Sequence, residues 1–254
     1  AACQAVWALA VAFPSQLAPL LNATTNSMLS DHAHAAQAAA TSGREAEGLY
    51  ESMQAHAHAA AALLSAAPQT PFGYPASQSY GALQAAASLV AAGDERASTA
   101  AWLLLRALLV ADPEWMGGKG RLAEASKMWA AVLARRAEPP TKDTRERAEA
   151  ELRTRAHALA SLSDFLKALP PRALAPLLKH VVAALLPPNT ELLRACRENA
   201  ASLMTAPPFR AAFVLFRARL YELLDALPTS ELRAAKALLN VVMPMVVGDI
   251  VDPS

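Results

Sequence analysis

The chain has 254 residues, of which 54% are hydrophobic, with 18 prolines but only 9 glycines; it is rich in alanine and lacks alternating runs of Val, Ile, Thr and aromatics. That is enough apolar material for a large core, and it points to helices rather than sheets. The 23 basic and 22 acidic residues leave a net charge of +1, too balanced for a surface that tracks nucleic-acid phosphates, and two cysteines, Cys3 and Cys196, argue for a reducing compartment without a disulfide framework.

In chain order, apolar periodicity and Pro punctuation predict helices over residues 1–13, 15–29, 32–40, 44–66, 77–92, 94–111, 122–136, 144–169, 172–186, 190–204, 209–226 and 230–247. Irregular segments are expected around Phe72 to Pro75, Trp115 to Gly120 and Pro139. Pro14, Pro68, Pro113, Pro139, Pro170, Pro187, Pro207 and Pro228 fall at the expected junctions. The uncharged stretch 1–23 contains Gln4, Pro14, Gln16 and Pro19 and lacks the basic flank of a signal peptide. The second apolar run, 100–111, is short and carries Arg106 in its middle, which reads as a buried helix. No membrane span is therefore expected.

The segment 174–204 reads as two helices hinged by a short Pro-Asn turn. Leu174, Leu177, Leu178, Val181, Val182 and Leu185 form one stripe, and Leu192, Leu193, Cys196, Ala200 and Leu203 the other. Pro187 and Pro188 are expected to stop the first helix, Asn189 or Thr190 to cap the second, and Glu191 to sit in its positive first turn. Neither helix hides its apolar face alone, so the unit needs stacked neighbours. Two APLL segments, at Pro19 and Pro176, lie close to four periods of about 39 residues apart, near the roughly 40 of HEAT arrays. The expected fold is all-α, an α-α superhelix of the HEAT/armadillo solenoid type. Residues 1–254 then form a single array of roughly six repeats. The chain begins without Met and with what reads as half a repeat, so it is expected to be a slice of a longer solenoid, with apolar stripes exposed at both ends and self-association as a result.

No catalytic, cofactor or metal site is predicted. His32/His34 and His56/His58 are spaced i, i+2, which on a helix points the rings apart, whereas chelation wants i, i+4. Gly117-Gly118-Lys119-Gly120 lacks the spacing and the following Ser or Thr of a phosphate loop and reads as a flexible connection. The Arg-rich stretch 134–157 interleaves Glu138, Asp143, Glu146, Glu149 and Glu151, the pattern of a self-compensating solvated surface. Asn22-Ala23-Thr24 is a formal glycosylation sequon inside a predicted helix.

Four segments, AAWLLLRALL (100–109), SKMWAAVL (126–133), RAHALASLSDFL (155–166) and FRARLYELLDALP (216–228), in this order and at these separations, resemble a central part of the HEAT repeat-containing protein five family, which includes the plant SWEETIE proteins and the fungal large accessory of the trans-Golgi clathrin adaptor. The similarity runs from about His56 to Asp249, with Trp102, Trp129 and Arg219-Leu220-Tyr221 its most specific points. It implies a non-catalytic cytoplasmic scaffold, peripheral at Golgi and endosomal membranes, whose protein partners belong to the clathrin-adaptor machinery. The alternative reading is an alanine-rich structural subunit of an organellar complex. The residues that bind partners are not identified by the sequence.

Overall fold

The computed structural model describes residues 2–70, 76–234 and 236–251. The segment expected to be irregular around Phe72 to Pro75 lies outside these residues. Every regular element described is helical and none is a strand. No described helix is long and apolar enough to cross a membrane. The chain divides into two compact units, 1–125 and 126–254.

The first unit contains α1 (Ala2–Ala12), α2 (Pro14–Ala38), α3 (Gly43–Ala66), a 3-10 turn (Ala67–Gln69), α4 (Ala76–Ala91), α5 (Glu95–Ala111) and α6 (Pro113–Met116), and α7 (Lys119–Leu133) carries the chain across the division. Local chemistry sets the starts. Pro14 and Pro113 stand in the first turns of α2 and α6, where a missing N–H costs nothing. Ser42, Asp94 and Asp112 accept from the backbone N–H three residues on, opening α3, α5 and α6. Gly93 ends the α4 connection with φ +74, a conformation that disfavours any side chain.

Helices 15–29 and 32–40 of the sequence reading are one helix, α2. Between them Ser30 and Asp31 carry only a modest helix penalty, with neither Gly nor Pro to break the run. α2 packs on α3 and α4, while α3 packs on α1 and α5 and α4 on α5. Leu17, Leu21, Met28, Met53, Leu63 and Leu64 are buried, with Trp102, Leu104 and Leu105 of α5. Trp7 and Leu9 of α1, Phe13 between the two helices and Leu20 of α2 are exposed instead. Cys3 is also exposed.

The second unit holds α8 (Arg145–Ala168), α9 (Pro171–His180), a π-helical segment (Val181–Leu185), α10 (Leu186–Glu198), α11 (Ala200–Leu203), α12 (Pro207–Ala226), α13 (Thr229–Ala234) and α14 (Lys236–Val251). The expected Pro-Asn hinge is absent: α9, the π segment and α10 are one uninterrupted helical run. Pro187 and Pro188 remove two N–H donors and would clash with the carbonyls four residues back. The chain widens instead, Leu186 N–H bonding to the Val181 carbonyl five residues earlier. Asn189 and Thr190 consequently sit inside a helix and cap nothing, and Glu191 lies in its body. α12 packs along α8, and α10 packs on α12 and α14. Trp129 meets Phe165 edge-on, ring centroids 4.9 Å apart, and Phe209, Phe216, Leu220 and Leu223 of α12 are buried.

Candidate functional site

The most chemically distinctive part of the molecule lies in the second unit, around the loop that joins α7 to α8. Pro139 and Pro140 exclude helix there, and Thr141 and Thr144 close the loop, each accepting at its hydroxyl a backbone N–H from the other, at 3.3 and 2.9 Å. Arg155, ten residues into α8, is completely buried although it is a charged side chain. Its Nε donates to Glu151 Oε1 at 2.6 Å, one turn back on the same helix. Nη1 donates to Asn189 Oδ1 at 2.9 Å and, more weakly, to the Leu133 carbonyl at 3.4 Å, while Nη2 donates to the Arg135 carbonyl at 2.7 Å.

Asn189, also fully buried, completes the arrangement from α10. Its amide donates to the Leu133 carbonyl at 2.9 Å and to the Leu185 carbonyl at 2.5 Å. The two side chains thus satisfy carbonyls at the open C-terminal end of α7 and pin the loop's first residues between α8 and α10. Burial pushes the Arg155 pKa down, the Glu151 carboxylate opposes this, and the nearby Arg135 charge adds to the lowering.

Two clefts flank the pinned loop. The first, about 200 Å³, is lined by Arg135, Arg136, Glu138, Thr144, Arg147 and Glu151, with Ala137, Ala148 and Leu192 as its apolar part. The second, about 450 Å³, lies against α10 between Arg136, Glu138, Glu191, Arg194 and Glu198 over Pro139, Pro188 and Leu192. Ion pairs cross this surface: Arg136–Glu191 at 3.9 Å, Arg147–Glu138 at 3.8 Å, Arg153–Glu149 at 2.6 Å and Arg194–Glu198 at 3.8 Å. The self-compensating surface read from residues 134–157 describes these pairs well. It misses Arg155, which points inward. Its only sequence signal is the Glu151–Arg155 spacing, and Asn189 lies 34 residues further on.

The other candidates serve structure. His56 Nδ1 lies 2.9 Å from Asp31 Oδ2, tying α3 to α2, and His58 bonds its own helix at the Gln54 carbonyl. Among the described residues no group of three or more His, Cys, Asp or Glu could hold a metal ion. Lys119 and Gly120 lie in the first turn of α7 rather than in a loop, leaving Gly117 and Gly118 as the connection from α6. A Cβ at Gly118 would displace the Arg121 guanidinium, the end of a flexible side chain that stacks 4.8 Å from the Trp115 ring centroid.

A second polar cluster joins α3 to the start of α5. Arg96 lies over the Tyr50 ring at 4.9 Å and pairs with Glu47 at 2.7 Å, while the Tyr50 hydroxyl bonds Asp94 at 3.4 Å. Burial, then the Asp94 charge, raises the Tyr50 pKa, and the hydrogen bond that Arg96 donates to Glu47 leads the rise at Arg96. Cys196 is sealed in the core, and burial pushes its thiol up to about 12, leaving it without thiolate near neutrality. Trp102, Trp129 and Leu220, specific points of the sequence resemblance, are core side chains, and Arg219 grips both oxygens of Glu222 at 3.0 and 2.7 Å. No family model, curated protein or solved structure matches this chain.

Proposed function

We propose that the chain is a non-catalytic helical scaffold of the HEAT type that binds other proteins, acting with clathrin adaptors in traffic between the trans-Golgi network and endosomes from the cytoplasmic side of those membranes. The observation that carries the scaffold reading is the packing order of the first unit. Helices one apart and two apart in sequence meet: α1 with α3 and α3 with α5 in one row, α2 with α4 in the other, with α2–α3 and α4–α5 as the cross-pairs. Stacked α-hairpins pack in this order, and they offer long surfaces for partner segments. The exposed Trp7, Leu9, Phe13 and Leu20 supply apolar area of the kind partners cover. The adaptor assignment is supported by the order and pattern of the four resembling segments.

Proximity labelling with the full chain in cells tests it. Enrichment of adaptor and coat proteins is expected. Recovery of mitochondrial or plastid proteins alone would replace this reading with that of an organellar subunit.

A further inference from the structure

We propose that the smaller cleft, between the 134–144 loop and the first turns of α8, binds a phosphomonoester group. At about 200 Å³ it falls below the roughly 300–1,000 Å³ of sites that enclose a whole small molecule, so it suits a head group presented on something larger. Arg135, Arg136 and Arg147 line it, against Glu138 and Glu151, and Arg136 also stands 3.9 Å from Glu191. Glu151 is committed to Arg155 at 2.6 Å, and Arg155 is not part of the lining. Of the lining carboxylates, that leaves Glu138 to oppose an incoming anion. Its pair with Arg147, at 3.8 Å, joins side chains that are 77% and 82% exposed, so it opens at little cost.

α8, a 24-residue helix, starts at the cleft, and its N-cap residue Thr144 makes no side-chain hydrogen bond to the first-turn N–H groups, although Glu146 stands in that turn. Planar guanidinium forks donate paired N–H groups to phosphate oxygens, a geometry that a chloride ion or a single carboxylate exploits less well. The neighbouring cleft is the internal contrast. Arg136 and Glu138 line both clefts, but there Arg136 and Arg194 stand with three carboxylates, Glu138, Glu191 and Glu198, so carboxylates outnumber cations and no anion is expected.

The inference does not depend on the scaffold reading. Its test is isothermal titration of the full chain, at low and constant ionic strength, with a capped Ala-phosphoserine-Ala tripeptide, its unphosphorylated form and inorganic phosphate. Saturable one-to-one binding of the phosphorylated tripeptide and none of the unphosphorylated one is expected. Arg147→Gln weakens it by about tenfold, whereas Arg194→Gln in the other cleft leaves it unchanged. Both arginines are solvent-exposed, so both variants retain the fold. Phosphate binding as tightly as the tripeptide means that the dianion alone is recognised; tighter tripeptide binding means that the ester is read on a chain. Absence of saturable binding by either, or equal weakening by Arg147→Gln and Arg194→Gln, overturns the proposal.

Discussion

Asn189→Ala is expected to destabilise the protein more than Arg155→Met, although it removes the smaller, uncharged side chain. In the first variant the buried guanidinium stays while its Nη1 keeps only the Leu133 carbonyl at 3.4 Å, a poor hydrogen bond, and the carbonyls of Leu133 and Leu185 lose an amide donor. An unsatisfied buried charged donor costs about 1–3 kcal/mol and each lost neutral bond about 1, so the total is about 3–5 kcal/mol. Arg155→Met removes the charge together with its needs. The Leu133 carbonyl keeps Asn189, and Glu151, whose side chain is 31% exposed, rehydrates. What remains is an orphaned buried Asn189 oxygen, about 1–3 kcal/mol, since Arg135 is an exposed residue whose carbonyl rehydrates. The double variant should cost less than the sum of the two by about 1–2 kcal/mol, because the second change removes partners already orphaned by the first. Urea unfolding followed by circular dichroism, with native-state hydrogen exchange along α8, measures all three. A larger loss for Arg155→Met, or strict additivity, would refute the account of Asn189 as the group that makes the buried charge tolerable.

Buried Trp102 and Trp129 should resist acrylamide quenching, while Trp7, 40% exposed, and half-buried Trp115 are quenched readily; Trp102→Ala is expected to cost about 3–5 kcal/mol in urea unfolding. A maleimide should label Cys3 in the native protein at pH 8 and reach Cys196 only on unfolding. Because the Cys196 thiol rises from its usual 9.0 to about 12 on folding, the unfolded chain loses this proton first as pH climbs. Stability contributed by the thiol is therefore whole below pH 9 and falls by about 1.4 kcal/mol per unit up to about 12, a slope that Cys196→Ala abolishes in urea midpoints measured across that range.

Local chemistry makes much of this protein legible from its amino acids. Alanine-rich periodic segments with few glycines become helices, Pro14, Pro113 and Pro207 sit in first turns, and Asp94 and Asp112 cap where short-range rules put them. Burial of Trp102 and Trp129 follows from their place on apolar helix faces. These features depend on neighbours within a few residues, and hydrophobic periodicity reports them directly. Tertiary structure decided the rest. A Ser-Asp pair reads as a break, yet α2 runs through it because packing along α3, with the Asp31–His56 contact, outweighs a small local penalty. Two consecutive prolines read as a stop, yet the backbone widens into a π turn and the helix continues, since Asn189 beyond them is held by groups on α7 and α8. Arg155 reads as one more surface charge, and its burial rests on carbonyls 20 and 22 residues before it and an amide 34 residues after it. Contacts at such separations leave no periodic trace in a sequence, because what repays the desolvation of a charge is the geometry of partners that only folding brings together.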